Sequence, residues 1–171
     1  LMAEGKFMLD RPAIVIEADQ PSYVQYAVQD LADYLRDASG GPVPIATSSE
    51  NKAASLIAVG PDAGRRLLGD TLTVEGLGEE GYILKTDTKQ GAKVVVAAGA
   101  GPRGTKAAIS ALMRLIQVEE RRPFLADSLD LRDHPGFAKR GMHFNGWPFK
   151  YPHSFRRWQE EDWQRYLDIL A

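Results

Sequence analysis

The residues of this chain best spaced for chemistry are Gly99-Ala100-Gly101-Pro102-Arg103-Gly104, which fit G-x-G-x-x-G between an apolar strand and a helix. In that setting backbone N–H groups and the positive end of a helix dipole attract a pyrophosphate. Glu119 or Glu120 lies near the spacing of a ribose-binding acid. Three features weigh against a dinucleotide site. The strand before the glycines is the second arm of an expected hairpin, whereas the fingerprint belongs to the first strand of a parallel βαβ unit. The candidate acids sit in a charged run at a helix end rather than after a second buried strand. No further βα units follow to build a nucleotide sheet. A tight strand-to-helix turn, with glycines for positive φ and close packing, is the plainer expectation.

The other reactive residue types gather late in the chain. All three histidines (His134, His143, His153) and all three tryptophans (Trp147, Trp158, Trp163) fall between Arg132 and Ala171. The histidines lack the i, i+4 spacing of a zinc helix and have no evident ligand set, so no metal and no cofactor is expected. Trp158 and Trp163, five residues apart, suit packing between elements better than a sugar platform. Arg156-Arg157 reads as a solvated pair. Glu160, Glu161 and Asp162 open a helix, where its dipole favours acids without any catalytic role.

These groups must be held by a fold, and the pattern of apolar residues outlines one. Ala13-Ile14-Val15-Ile16-Glu17 and Leu56-Ile57-Ala58-Val59-Gly60 read as short buried strands. Between them Val24, Ala27, Val28, Leu31, Leu35 and Ala38 form one stripe of a helix, opened at Pro21 and stopped by Gly40-Gly41. Pro42 to Ile45 is extended and suits a sheet edge. Residues 61–68 make a short helix or turn, and 76–81 a loop. Tyr82–Thr86 and Lys93–Ala97 pair as a hairpin around Lys89-Gln90-Gly91. A helix then runs from Pro102 to about Val118. Its apolar face, from Ala108, Ile109, Ala111, Leu112, Met113, Leu115 and Ile116, is wide enough to imply burial on two sides, the first hint of a second domain. The expected fold is α+β (α/β), with two main helices on one face of a mixed sheet.

Composition sets the class. With 171 residues, 44% hydrophobic and 26% charged, the chain is globular rather than disordered. A net charge of -2 gives no global attraction to nucleic acid. No apolar run approaches the about 20 residues of a membrane span, so no membrane partner is expected. Cysteine is absent, which suits the cytoplasm and equally a periplasmic or secreted protein that uses no disulfides. After Leu131 the character changes: between Arg132 and Arg157 six basic residues face one acid, a local charge of +5. The closing segment from Trp158 is amphipathic, with Trp163, Tyr166, Leu167 and Leu170 on one face. A lone strand and helix cannot bury their apolar sides, so the chain is expected to be cut from a longer one.

Three segments carry a resemblance. Glu80-Gly81-Tyr82-Ile83-Leu84 resembles the E-G-Y strand in the side domain of family-20 glycoside hydrolases. Gly101 to Ile116 resembles the glycine turn and helix of that domain. Asp133-His134-Pro135-Gly136-Phe137-Ala138-Lys139-Arg140-Gly141 fits the D-x-P-x-F-x-x-R-G motif at the start of the catalytic barrel. Related side domains precede the barrels of α-glucuronidases. The resemblance implies a side domain over residues 1–134, then a linker and the first strand and helix of a truncated (β/α)8 barrel over 135–171. Pro135 would hold His134 extended, and Phe137 would anchor the linker. Met142, His143, Phe144 and Asn145 would alternate along the first barrel strand.

Substrate-binding residues implied in this way are Arg140, His143, Asn145 and Trp147, near the barrel mouth where such enzymes build their sites. Trp147 would stack on a sugar ring and Asn145 bond a hydroxyl. His143 also suits a packed, hydrogen-bonded place in the strand, and Arg140 a structural ion pair at the barrel base. Family-20 hexosaminidases follow R-G with an aspartate and a sugar-binding arginine, where this sequence has Asn145 and Pro148. The Trp147-Pro148-Phe149 loop and the positive charge are more similar to an α-glucuronidase, whose substrate carboxylate would favour a basic mouth. The parent would hydrolyse glycosidic bonds, with its carboxylates beyond Ala171 and a carbohydrate as its partner. Two rival classes remain: a stand-alone carbohydrate-binding or protein-interaction module, and a nucleotide-binding protein using Gly99 to Gly104.

Overall fold

The structure, a computed structural model, describes residues 5–47, 53–69, 72–89, 91–126, 128–137 and 158–170, with the side chains of 168–170 excepted. The chain divides into two compact units, Leu1–Pro135 and Gly136–Ala171.

The first unit is built on a six-stranded sheet. Its strands are β2 (Pro12–Ile16), β3 (Ile45–Ala46), β4 (Ser55–Val59), β5 (Tyr82–Lys89), β6 (Ala92–Gly99) and β9 (Asp130–Asp133), in the spatial order β3-β2-β4-β6-β5-β9. The first four in that order run parallel, and β5 is antiparallel to both β6 and β9. All five residues of β2 and of β4 are buried. That explains their unbroken apolar sequences, because a parallel sheet is covered on both faces.

Alternation along each strand sorts the core into two layers. Ile14, Ile16, Ile57, Val59, Val95 and Ala97 face helices α1 (Ser22–Ser39) and α3 (Pro102–Leu115). Ala13, Val15, Leu56, Ala58, Val94 and Val96 face the opposite way, under α2 (Pro61–Leu68) and the side chains of Leu72 and Leu77. The two main helices therefore share one face of a mixed sheet. Of the expected α1 stripe, Val24, Ala27, Val28, Leu31 and Leu35 are buried and Ala38 is half-buried. Gly40, at φ 74°, ends the helix by donating its N–H to the Arg36 carbonyl.

Two expectations are corrected here. The helix expected to reach Val118 ends at Leu115, and Ile116–Glu119 form strand β7. It joins β8 (Arg122–Leu125) and β1 (Phe7–Met8) in a separate three-stranded antiparallel sheet. Ile116 takes an extended ψ of 125°, since the ladder to β8 replaces the helical bonds it gives up. The wide apolar face of α3 is also met inside this unit. Ala108, Ile109 and Leu112 are buried between the sheet and α1, while Leu115 is exposed.

In the second unit the described part is Gly136, Phe137 and residues 158–170, including helix α4 (Glu160–Leu170). The helix was expected from Trp158 and begins two residues later, because Gln159 acts as its cap. The Gln159 N–H donates to Asp162 Oδ2 at 3.0 Å while the Gln159 carbonyl accepts from Asp162 and Trp163. That is half of a capping box.

Candidate functional site at the corner of three motif segments

The four residues expected to bind substrate, Arg140, His143, Asn145 and Trp147, lie outside the described residues. Asp133 to Phe137, the first half of the junction motif, lies within them. The structure brings Asp133, its first residue, together with the two other motif segments at one corner of the sheet.

Tyr82 opens β5, and in the register it sits between Gly99, the last residue of β6, and Asp133, the last residue of β9. This is the carboxyl end of the parallel strands, from which α1, α2 and α3 start. Gly81 closes the corner from one side. Its carbonyl accepts from the Ala100 N–H at 3.4 Å and lies so near Gly104 that a Cβ there would collide with it. A Cβ on Gly99 would strike the backbone of Gly104 and Thr105. The E-G-Y strand and the glycine turn thus fit because Gly104 lacks a side chain, and the turn itself closes because Gly99 does. Thr105, almost fully buried, adds a tie by accepting the Gly99 N–H on Oγ1 at 3.2 Å.

The junction motif closes the other side. The Tyr82 hydroxyl donates to Asp133 Oδ2 at 3.1 Å, and the His134 N–H donates to Asp133 Oδ1 at 2.8 Å. Burial pushes the Tyr82 phenol above its ordinary value, and the bond and charge of Asp133 add to this while Arg114 opposes it. Arg132, the next residue back, donates from Nη1 to the Thr73 carbonyl and from Nη2 to the Glu75 carbonyl, each at 2.8 Å. Phe137, expected to anchor the linker, is 76% exposed.

The same geometry answers the nucleotide reading. The turn was expected to need glycine for positive φ, but Gly99, Gly101 and Gly104 are not among the positive-φ glycines. Close approach is the reason for Gly99 and Gly104. Three of the turn's N–H groups are also engaged: Gly99 with Thr105, Ala100 with Gly81 and Gly104 with the Glu79 carbonyl. At the start of α2 an internal carboxylate fills the anion position. Glu17 Oε1 accepts from the N–H groups of Asp62 at 2.6 Å and Ala63 at 3.2 Å. Among the described residues, no group of three or more potential ligands could hold a metal, and no helix is long and apolar enough to cross a membrane.

In the second unit, Trp158 meets Trp163 edge-on at 4.9 Å between ring centroids and Tyr166 at 5.1 Å. The two tryptophans are thus in contact with each other. Trp163 and Leu167 remain exposed.

No protein-family profile and no curated protein matches the sequence. Solved structures do match in fold. A GH138 enzyme targeting pectin rhamnogalacturonan II aligns over 93% of this chain and 17% of its own, with TM-score 0.58 and 18% identity. The chitobiase of Flavobacterium johnsoniae aligns over 81% of this chain and 20% of its own, with TM-score 0.52 and 18% identity. For a β-hexosaminidase of Streptomyces plicatus in complex with GlcNAc the shares are 79% and 24%, with TM-score 0.50 and 19% identity. The chain has the fold of a portion of glycoside hydrolases, and it spans a quarter or less of the length of these three.

Proposed function

We propose that the chain is the non-catalytic N-terminal portion of a glycoside hydrolase. Residues 1–134 are its side domain, and 135–171 are the linker, first strand and first helix of a (β/α)8 catalytic barrel. The observation that carries this reading is the corner. Three separate segments, two resembling the side domain of one enzyme family and the third the entry to its barrel, meet there through Gly81, Gly104, Tyr82 and Asp133. The fold likeness to the GH138 enzyme supports the second part, since 93% of the chain is a larger share than Leu1–Pro135 makes up.

Hydrolysis of glycosides generally uses paired carboxylates, or one carboxylate helped by a substrate acetamido group. On this reading those acids belong to later barrel strands. Glu160, Glu161 and Asp162 stand in the first turn of α4, where the dipole accounts for them. Arg140, His143, Asn145 and Trp147 would contribute to sugar binding at the mouth. The basic stretch 132–157 favours a uronate-bearing sugar, with a hexosamine as the alternative. The reading calls for a carbohydrate partner and for no cofactor, metal, nucleic acid or membrane.

The test is the native reading frame and the protein it encodes. A frame that continues for several further βα repeats, and whose product cleaves aryl glucuronides or aryl N-acetylglucosaminides while the 171-residue chain cleaves neither, supports the proposal. A frame ending at Ala171 overturns it. In that case the exposed Trp163 and Leu167 of α4 favour a stand-alone binding module. Calorimetry with oligosaccharides, compared between the chain and its Trp163→Ala variant, would then locate the site.

A further inference from the structure

β9 is attached differently from the buried strands β2, β4 and β6 of its sheet. All four of its residues, Asp130 to Asp133, are exposed, and even Leu131 places no more than part of its side chain against the protein. It lies at the sheet edge and pairs only with β5. Hydrophobic burial therefore contributes little to holding it. Besides the ladder to β5 and the Leu129 side chain packed on the core just before it, what holds it is polar and sits at its two ends. At the carboxyl end are the Tyr82–Asp133 bond and the two bonds from Arg132 to the Thr73 and Glu75 carbonyls. At the amino end Thr86 donates its N–H to the Leu129 carbonyl at 2.9 Å, and its Oγ1 accepts the Leu129 N–H at 2.7 Å.

We infer that β9 is a separable strap, which opens from β5 as a unit while the buried strands β2, β4 and β6 stay closed. Regions with few buried apolar contacts and exposed backbone bonds open at lower free energy than a core. β9 has both properties, and β6, on the other side of β5, has neither, with Val94 to Gly99 buried. The strap leads directly into His134 and Pro135, where the first unit ends. Its closure therefore fixes the path by which the chain leaves the sheet, and its opening releases that path. That this path leads to a catalytic barrel rests on the reading above; the opening of β9 does not.

Hydrogen exchange of the 171-residue chain, read by mass spectrometry, tests it. The slowest amides of peptide 128–134 should exchange at least about tenfold faster than those of peptide 93–98. Ile57→Val, a mild core truncation, should speed peptide 93–98 about two- to tenfold and leave 128–134 unchanged, because the core is intact when the strap is open. Arg132→Ala should speed 128–134 by a similar factor through loss of two bonds to the loop. One common rate for both peptides, with both responding to Ile57→Val, would mean that β9 leaves only with the whole sheet and would overturn the inference. So would an Arg132→Ala variant whose 128–134 exchange is unchanged.

Discussion

The hydroxyl of Tyr82 donates to Asp133 Oδ2 across 3.1 Å, tying the first residue of β5 to the last of β9. One bond thus links the E-G-Y segment to the D-x-P segment. Removing the hydroxyl in Tyr82→Phe should cost about 0.5–1.5 kcal/mol at neutral pH in a urea melt, toward the lower end because the pair is partly exposed. The pair also sets a pH response. The folded state keeps the Tyr82 proton above the ordinary value of 10.0, through burial first and then through Asp133. Above that value the folded chain binds more protons than the unfolded one. The stabilisation is whole below pH 10 and drains away as pH rises through the folded value. Between about pH 9 and pH 12, Tm should fall more steeply for the native chain than for Tyr82→Phe. Parallel curves would mean that the phenol titrates as it does in water.

Glu17 caps a helix that begins 44 residues after it. α2 has Gly60 at its N-cap, which offers no side-chain acceptor, and Glu17 Oε1 takes the N–H groups of Asp62 and Ala63 instead. Gly60 is required by the same arrangement, because a Cβ there would run into the Glu17 carboxylate and its φ is 98°. Glu17→Ala should destabilise by about 1–2 kcal/mol, the cost of an emptied N-terminus. Glu17→Gln keeps an acceptor and should recover a good part of that in the same denaturation experiment.

What could be read in advance follows from where each element gets its stability. β2, β4 and the β5–β6 hairpin are stabilised by their own apolar side chains, so continuous or alternating burial was visible in the sequence. So was α1, whose stripe and glycine stop are local. β9 was not visible: Asp130-Leu131-Arg132-Asp133 buries nothing, and its partners are Tyr82, Thr73 and Glu75, far back in the chain. β7 was hidden differently. Ile116 continues the helical spacing from Leu112, and only pairing with β8 turns it into strand. At the corner, the glycines were recognised but their reason was half wrong: contact with Gly81 and Thr105, not positive φ, selects Gly99 and Gly104.

The turn between β7 and β8 carries strain that substitution can relieve. Glu120 and Arg121 have φ of 49° and 62°, a pair of left-handed residues at a two-residue hairpin turn that ordinarily takes Asn-Gly. Glu120→Asn should raise stability by up to about 1 kcal/mol in a thermal melt, since asparagine tolerates that conformation better. Arg121→Gly should gain less than its φ alone suggests. The Arg121 guanidinium lies against Gly40 at the C-terminus of α1, where a positive charge complements the helix dipole. A larger gain from Arg121→Gly than from Glu120→Asn would show that this contact contributes nothing.

The glycine turn gives the sharpest test, because the two readings of it differ over what Gly101 does. If the turn served a pyrophosphate, Gly101 would be the residue that lets the ligand reach the backbone, while Gly104 would serve helix–strand packing on either reading. In this fold they differ. A Cβ on Gly104 collides with the Gly81 carbonyl, whereas one on Gly101 finds the Glu79 carbonyl oxygen at 3.4 Å, an ordinary contact. Gly101 also has an extended backbone that any residue adopts, with φ at -142°. Gly104→Ala should therefore cost about 1–3 kcal/mol through overpacking, and the strain should fall on β5 and α3 together. Gly101→Ala should be within about 0.5 kcal/mol of the native chain. NAD at millimolar concentration should leave all three melting curves where they are, because Thr105, Gly81 and Glu79 already hold three N–H groups of the turn. Stabilisation of the native chain by NAD, lost in Gly101→Ala, would return the turn to the nucleotide reading.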